Sequence, residues 1–429
     1  MSIKGSRLAT VLATLLPLVA FSVLVGADWP RFRGADGSGA SAETGLPLHW
    51  SEDDGLVWRT ELPGPGSSCP VVSAERVFLT CYSGYGVDRD DPGDPAGLRR
   101  HVVCVGKESG KLLWDRSIES SQRVSPFRGV GMPHHGYASS TPVADGERVY
   151  AFFGTAGVVA FDFGGNELWR KSVAPQPSTH RFGSAASPIL FENLLIVSAS
   201  VECEALVAYN KLTGDEVWRT PATGYGGWWS TPILVDVGKR QELVVSVPDE
   251  LWGLNPKNGK LRWYAESFSA RNICTSVVAT DGVVYAIGGR DGGSAAVRLG
   301  GRGDVTQSHV AWSQDDKSYV TSPVVDKEHL YFVTERALFF CLKADGGERV
   351  ARERLSGAGK IYASPLLADG KLFVVTRRNG TFVLAAQPEF KQLAHNTFES
   401  DDSDFNASPA VSDGRLFLRS NRYLYCVTR

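Results

Sequence analysis

Between Ser139 and Val173 the chain alternates short apolar runs with glycine and aspartate punctuation. Ser139 to Ala144 predicts a first strand, and Asp145-Gly146 a tight turn. Arg148 to Phe153 follows, then the turn Gly154 to Gly157. Val158 to Phe161 reads as the third strand, Asp162 to Gly165 as the third turn, and Glu167 to Arg170 as the last strand. β-Formers bounded by turn residues are the strand-and-hairpin signature.

The unit recurs. Each copy opens with two small residues and usually proline: Ser68-Cys69-Pro70, Ser140-Thr141-Pro142, Ala186-Ser187-Pro188, Ser230-Thr231-Pro232, Thr275-Ser276-Val277, Thr321-Ser322-Pro323, Ala363-Ser364-Pro365 and Ala407-Ser408-Pro409. After the first copy the spacing stays between 42 and 46 residues. Four strands at this period predict an all-β fold, an eight-bladed β-propeller of four-stranded blades. The eighth copy runs out after three strands. A spare strand, Leu56 to Leu62, carries the same Trp-Arg pair as the fourth strands of other copies. It is expected to complete the last blade and close the ring, which removes exposed sheet edges.

Composition changes this picture little. The chain has 429 residues, 43% of them hydrophobic and 21% charged, which suits one large ring. Residues 1–27 read as a signal peptide: Lys4 and Arg7, an apolar run from Leu8 to Val25, and the small residues Val25-Gly26-Ala27. Cleavage near Ala27 places residues 28–429 outside the cytoplasm, in a periplasm or at a cell surface. An uncleaved segment would instead anchor the chain in a membrane. The mature chain then carries a small net negative charge, without the basic footprint of a nucleic-acid binder. Residues 28–50 read as a strap on the outside of the ring, and 82–101 as an insertion in blade one. A single closed ring is expected to be a monomer. Of seven cysteines, Cys104, Cys341 and Cys426 share one third-strand position and read as buried packing thiols. Cys69 and Cys81 lie on neighbouring strands, within reach of a disulfide in an oxidising compartment.

A second signal lies in the fourth strands. Gly110, Gly165, Gly214 and Gly259 each precede a tryptophan by four residues: Trp114, Trp169, Trp218 and Trp263. This pattern resembles the tryptophan-docking motif of the quinoprotein (PQQ) propeller family, in which the ring wedges one blade against the next. The resemblance covers nearly the whole mature chain. Blade five reaches Trp312 through a longer loop. Blades six and seven lack the tryptophan and need other packing, such as Leu355 and Phe398.

The small pairs face the crowded axis and read as structural. Residues just before them ring one mouth of the channel: Tyr137, Trp228, Trp229, Asn272, Tyr319, Lys360, Tyr362, Asp404, Phe405 and Asn406, with His134, His135, His180, Arg181 and Arg271 further out. Loops between second and third strands open on the same side. A concave mouth with aromatic and polar groups is the default binding site. Two members of the resembling family bear on its use. In quinoprotein dehydrogenases PQQ lies in this funnel beside a calcium ion, with an aspartate as base. That resemblance implies Trp228 or Trp229 stacking on the cofactor, Arg181, Arg271, Asn272 and Lys360 meeting its carboxylates, and Asp404 as base or calcium ligand. The propeller subunit of the outer-membrane β-barrel assembly machine is instead a docking scaffold. This chain lacks the dehydrogenases' adjacent cysteine pair and their large excursions. The leading expectation is therefore a binding or scaffold module engaging an envelope protein or a small ligand at the mouth. The alternative is a PQQ- and calcium-dependent dehydrogenase of alcohols or sugars. His134-His135 and Asp88-x-Asp90 are weaker metal candidates, because adjacent histidines rarely chelate one ion and Pro92 and Arg99 occupy calcium-ligand positions.

Overall fold

The computed structural model describes residues 28–119, 124–129, 131–174, 182–326 and 328–429. The signal-peptide reading, His180 and Arg181 lie outside the described residues. Among those described, no helix is long and apolar enough to cross a membrane.

Eight four-stranded antiparallel blades are present. Blade two shows the repeat plainly: Val143–Ala144, Arg148–Phe152, Val158–Asp162 and Glu167–Lys171. Blade eight consists of Ala410–Ser412, Arg415–Arg419 and Tyr423–Val427, and its fourth strand is Leu56–Glu61 from the other end of the chain. Leu56 pairs with Val427 and Glu61 with Tyr423, so the closure expected from the sequence is formed.

Two devices hold the ring. The first encircles the axis. In every blade the second residue of the small pair turns its side chain toward the preceding blade's innermost strand. Cys69 N–H donates to Thr141 Oγ1 (2.9 Å), Thr141 to Ser187 Oγ (3.0 Å), Ser187 to Thr231 Oγ1 (2.9 Å), and Thr231 to Ser276 Oγ (3.0 Å). Ser276 donates to Ser322 Oγ (2.9 Å), Ser322 to Ser364 Oγ (2.9 Å) and Ser364 to Ser408 Oγ (2.8 Å). Ser408 then closes the circle on Cys69 Sγ at 3.2 Å. All these groups are buried, where an unpaired N–H is costly. The seven cysteines are free, and the suggested pairing of Cys69 with Cys81 is not made. Cys69 serves the ring, while Cys81 Sγ accepts from buried Arg419 (3.4 Å).

The second device is tryptophan docking. Indole N–H groups reach a carbonyl of the next blade at 2.9–3.0 Å: Trp58 to Lys107, Trp114 to Phe163, Trp169 to Lys211, Trp218 to Pro256 and Trp312 to Ala344. Each ring lies on a glycine of that blade. A Cβ on Gly214 would sit 2.6 Å from Trp169. Within its own blade the tryptophan faces a small residue: Cys104, Ala160, Ala208, Ala296 or Cys426. At the shared cysteine position Cys104 and Cys426 face an indole, whereas Cys341 faces Ala351. Blade seven has Ala394 at the tryptophan position. There Trp50 comes from outside the repeat, stacks near Phe373 (6.5 Å), and takes Asn396 Oδ1 onto its backbone N–H (3.0 Å). Phe398 stacks on Tyr425 at 4.0 Å.

Residues 28–50 are not a strap on the outer rim. Trp29 bridges Val72 of blade one, Pro30 O accepts from Ala144 of blade two, and Arg31 donates to Pro232 O of blade four (3.2 Å). Arg33 donates to Ser322 O (3.4 Å) and Pro323 O of blade six. Ala40–Ser41 pair in parallel with Leu367 and Ala368 of blade seven. One short segment that reaches the innermost strands of so many blades crosses the axis. It closes the channel at the end away from the mouth. The reason is chemical: strand carbonyls facing the channel need donors, and the two guanidiniums supply them. Burial lowers their pKa values, to about 10 for Arg31 and about 9 for Arg33, which leaves both charged at neutral pH.

Candidate functional site: the mouth of the ring

Innermost strands begin at the mouth, so the segments leading into them and the loops between second and third strands meet there. Part of the mouth is covered. The segment leading into blade two forms a short helix, Met132–His135, that reaches far across the ring. Asn406 Nδ2 donates to His134 O (3.2 Å), and Ser67 Oγ donates to His135 O (3.0 Å). His135 Nε2 donates to Phe182 O (2.7 Å), and its Nδ1 lies 2.6 Å from Ser139 Oγ. The two histidines therefore face different partners, and they do not present a shared chelating pair. Burial drives His135 down to about 4, so it is neutral. Beneath the helix, Arg100, Tyr137, Ser139, Glu202 and their neighbours enclose a cavity of about 30 Å³, room for about two waters.

Next to the helix is a charge cluster. Arg377 Nη1 lies 3.1 Å from His134 Nδ1 and its Nη2 donates to Asp404 Oδ2 (2.5 Å). Arg378 Nε donates to Asp404 Oδ1 (2.5 Å). Burial acts to raise the Asp404 pKa, but the two arginines outweigh it and hold the carboxyl below its ordinary value. Both its oxygens are engaged. The Arg377 guanidinium also lies over Tyr362, 5.3 Å from the ring centre. Arg290 covers Tyr319 in the same way at 5.0 Å.

The predicted residues separate into three groups. Arg271, Asn272 and Lys360 are exposed, and Tyr319, Tyr362, Asp404 and Asn406 are half-buried around them. Trp229 is half-buried, with its N–H on Gly183 O (2.7 Å) and its ring edge-on to Phe182. Trp228 and Tyr137 belong to the interior. Trp228 is 0% exposed and packs in the core shared by blades three and four. Tyr137 packs against Tyr82 and Tyr85 of the blade-one insertion and donates to Ser125 O (2.6 Å) in the connection to blade two. Asp88 accepts from the Asp90 and Asp91 amides and caps its own exposed turn (2.8 and 3.3 Å), with Asp90 exposed beside it. Arg290, Arg377 and Arg378 were not singled out from the sequence. The topological rule that places second-to-third-strand loops at the mouth was enough to find them.

A family model described as outer membrane protein assembly factor BamB matches residues 98–353, more than half of the chain. The chain belongs to that family. No curated protein sequence matches it. Among solved structures, BamB from Moraxella catarrhalis is similar at 12% identity and a TM-score of 0.58, covering 87% of this chain and 99% of that one. A europium-containing methanol dehydrogenase is similar at 10% identity and 0.64, over 94% and 98%. The computationally designed Ika8 protein is similar at 13% identity and 0.57, over 87% and 99%. An assembly factor, a methanol dehydrogenase and a design at such low identity share the fold alone.

The mouth does not fit the PQQ and calcium set of the dehydrogenases. Basic and amide groups are present in Arg271, Asn272 and Lys360. Of the two rings expected to stack, Trp228 is sealed in the core, and Trp229 is half-buried, edge-on to Phe182 and tied by its N–H to Gly183 O. The carboxylate that would serve as base or calcium ligand is held by two arginines. The enclosed space under the helix is of water size.

Proposed function

We propose that this family member is an extracytoplasmic, non-catalytic binding propeller that holds a protein partner on the uncovered sector of its mouth, over blades five to seven. The observation that carries the reading is the pair of arginine-on-tyrosine stacks, Arg290 on Tyr319 and Arg377 on Tyr362, beside exposed Arg271, Asn272 and Lys360. Tyrosine and arginine are the residues enriched at the energetic centres of protein interfaces. Here each tyrosine stands on a rigid segment before an innermost strand, and its arginine is already stacked. Little side-chain entropy is then lost on docking. The surplus of arginine and lysine selects a partner segment rich in carboxylates or free carbonyls. The family description suggests the process: assembly of outer-membrane proteins in the envelope.

A photocrosslinking residue at Lys360, in the native host, tests this. The expected result is one defined envelope protein crosslinked from Lys360, lost on Tyr319→Ala plus Tyr362→Ala. A crosslinker at Lys239, in the turn between the first two strands of blade four and so on the opposite face, should leave that protein untouched. Equal crosslinking from both positions would overturn the assignment of the mouth.

A further inference from the structure

Blade four breaks the docking pattern. Trp263 occupies the position from which five other tryptophans reach the next blade, yet its N–H turns back within its own blade to Glu242 Oε2 (2.7 Å). The indole is fully buried and lies on Gly253 of the same sheet. Glu242 is also fully buried. Its Oε1 accepts from Arg240 Nη2 (2.8 Å) and Nε (3.0 Å), and from Arg262 Nη1 (3.4 Å). A buried carboxylate is a costly way to pack an indole, and an apolar side chain would serve stability as well. What it does achieve is to fix two guanidiniums.

A third is delivered by the long connection of blade five. Gly303–Asp304 pair in parallel with Trp263 and Tyr264, which brings Arg302 to the same edge. Arg240, Arg262, Arg302 and Leu261 line an open groove of about 240 Å³. Arg302 is exposed and makes no ion pair among the described residues. Asp304, two residues on, spends its carboxylate on the Thr306 amide (2.9 Å). Three guanidiniums thus line the groove, two of them held by Glu242, while the Asp304 carboxylate forms no ion pair with them among the described residues. The second and fourth strands begin at the end opposite the mouth, so the groove lies on the far face.

We propose that this groove is a binding site for a phosphate-type oxyanion, either free or as a lipid headgroup. Guanidinium forks match the geometry of such an anion, and Glu242 pre-orients two of them. The site gives the ring a second point of attachment, independent of the mouth.

The test is a calorimetric titration of the purified protein with inorganic pyrophosphate at low salt, beside flotation with phosphatidylglycerol or phosphatidylcholine vesicles. Saturable one-to-one pyrophosphate binding is expected, weakened about tenfold by Arg302→Ala, which removes one charge-assisted contact. Arg302→Glu should abolish it, and Lys360→Ala at the mouth should leave it unchanged. Because Arg302 is exposed, both variants should keep the parent's thermal midpoint. Retention on phosphatidylglycerol but not phosphatidylcholine, lost in the same variants, would identify the lipid source. Pyrophosphate binding without vesicle retention would identify a free anion. Neither binding nor retention, or either one left intact by Arg302→Glu, would overturn the proposal.

Discussion

Ser322→Ala removes a single oxygen from the hydroxyl circle. Ser322 Oγ accepts the Ser276 N–H at 2.9 Å, and both residues are almost fully buried, at 2% and 3% exposure. At so buried a position the cost is that of an unsatisfied donor, about 1–3 kcal/mol. Ser322→Cys repeats the arrangement of the seam, where Ser408 N–H rests on Cys69 Sγ. Sulfur is a weak acceptor, so this variant should lose less than alanine. Heating is the poorer assay. With about 2 cal/mol/K of unfolding entropy per residue, so long a chain shifts its midpoint by only about 1 °C per kcal/mol. Urea unfolding followed by tryptophan fluorescence resolves the difference as a lower midpoint at unchanged slope. An alanine variant within about 0.5 kcal/mol of the parent, the range of ordinary surface changes, would refute the account. So would a cysteine variant as unstable as the alanine one.

Two further outcomes follow from the same structure. Gly214 and Gly238 both have positive φ (74° and 61°), but a Cβ would strike the Trp169 ring only at Gly214. Alanine at either costs about 1 kcal/mol of backbone strain, and Gly214→Ala should lose clearly more than Gly238→Ala in the same urea assay. Burial depresses the folded pKa of His135 to about 4, against an ordinary value of 6.5. The unfolded chain binds a proton that the folded one does not, so stability falls as pH drops from 6.5 toward 4. Amide protection factors at residues 131–136, taken relative to the intrinsic exchange rate at each pH, should fall across that window and stay flat in His135→Gln.

The repeat was legible because it is written in residue size and period. Eight small pairs and the Gly-to-Trp spacing place every blade, and the orphan strand Leu56–Glu61 finds its partner from the Trp-Arg pair alone. The pairs were read for size, and the hydrogen-bond circle they form needs three dimensions to see. Trp228 and Trp229 are neighbours of one type, and nothing in the sequence says that one is sealed between blades while the other stays near the surface. The Asp404 cluster joins residues from blades two, seven and eight, with His134 and Arg377 243 positions apart. Residues 28–50 misled for a related reason. Their glycine and proline content says they are irregular, but only Arg31 and Arg33, read as donors for channel carbonyls, would have pointed inward.

The segment across the far end of the channel has a consequence in time. Arg31 meets a residue 201 positions later, and Arg33 one 289 positions later. Leu56 waits for Val427. A chain delivered N-terminus first therefore carries Arg33 without its carbonyls until blade six arrives, Trp50 without Phe373 until blade seven, and Leu56–Glu61 without its sheet partner until blade eight, whereas Trp29 meets Val72 of blade one early. Such long-range closure is slow compared with forming a single blade. The strand Leu56–Glu61, made before any blade, is the last to be paired. The yield of finished rings is then governed by how long an open arc survives proteases and sticky neighbours, rather than by how stable the closed circle is.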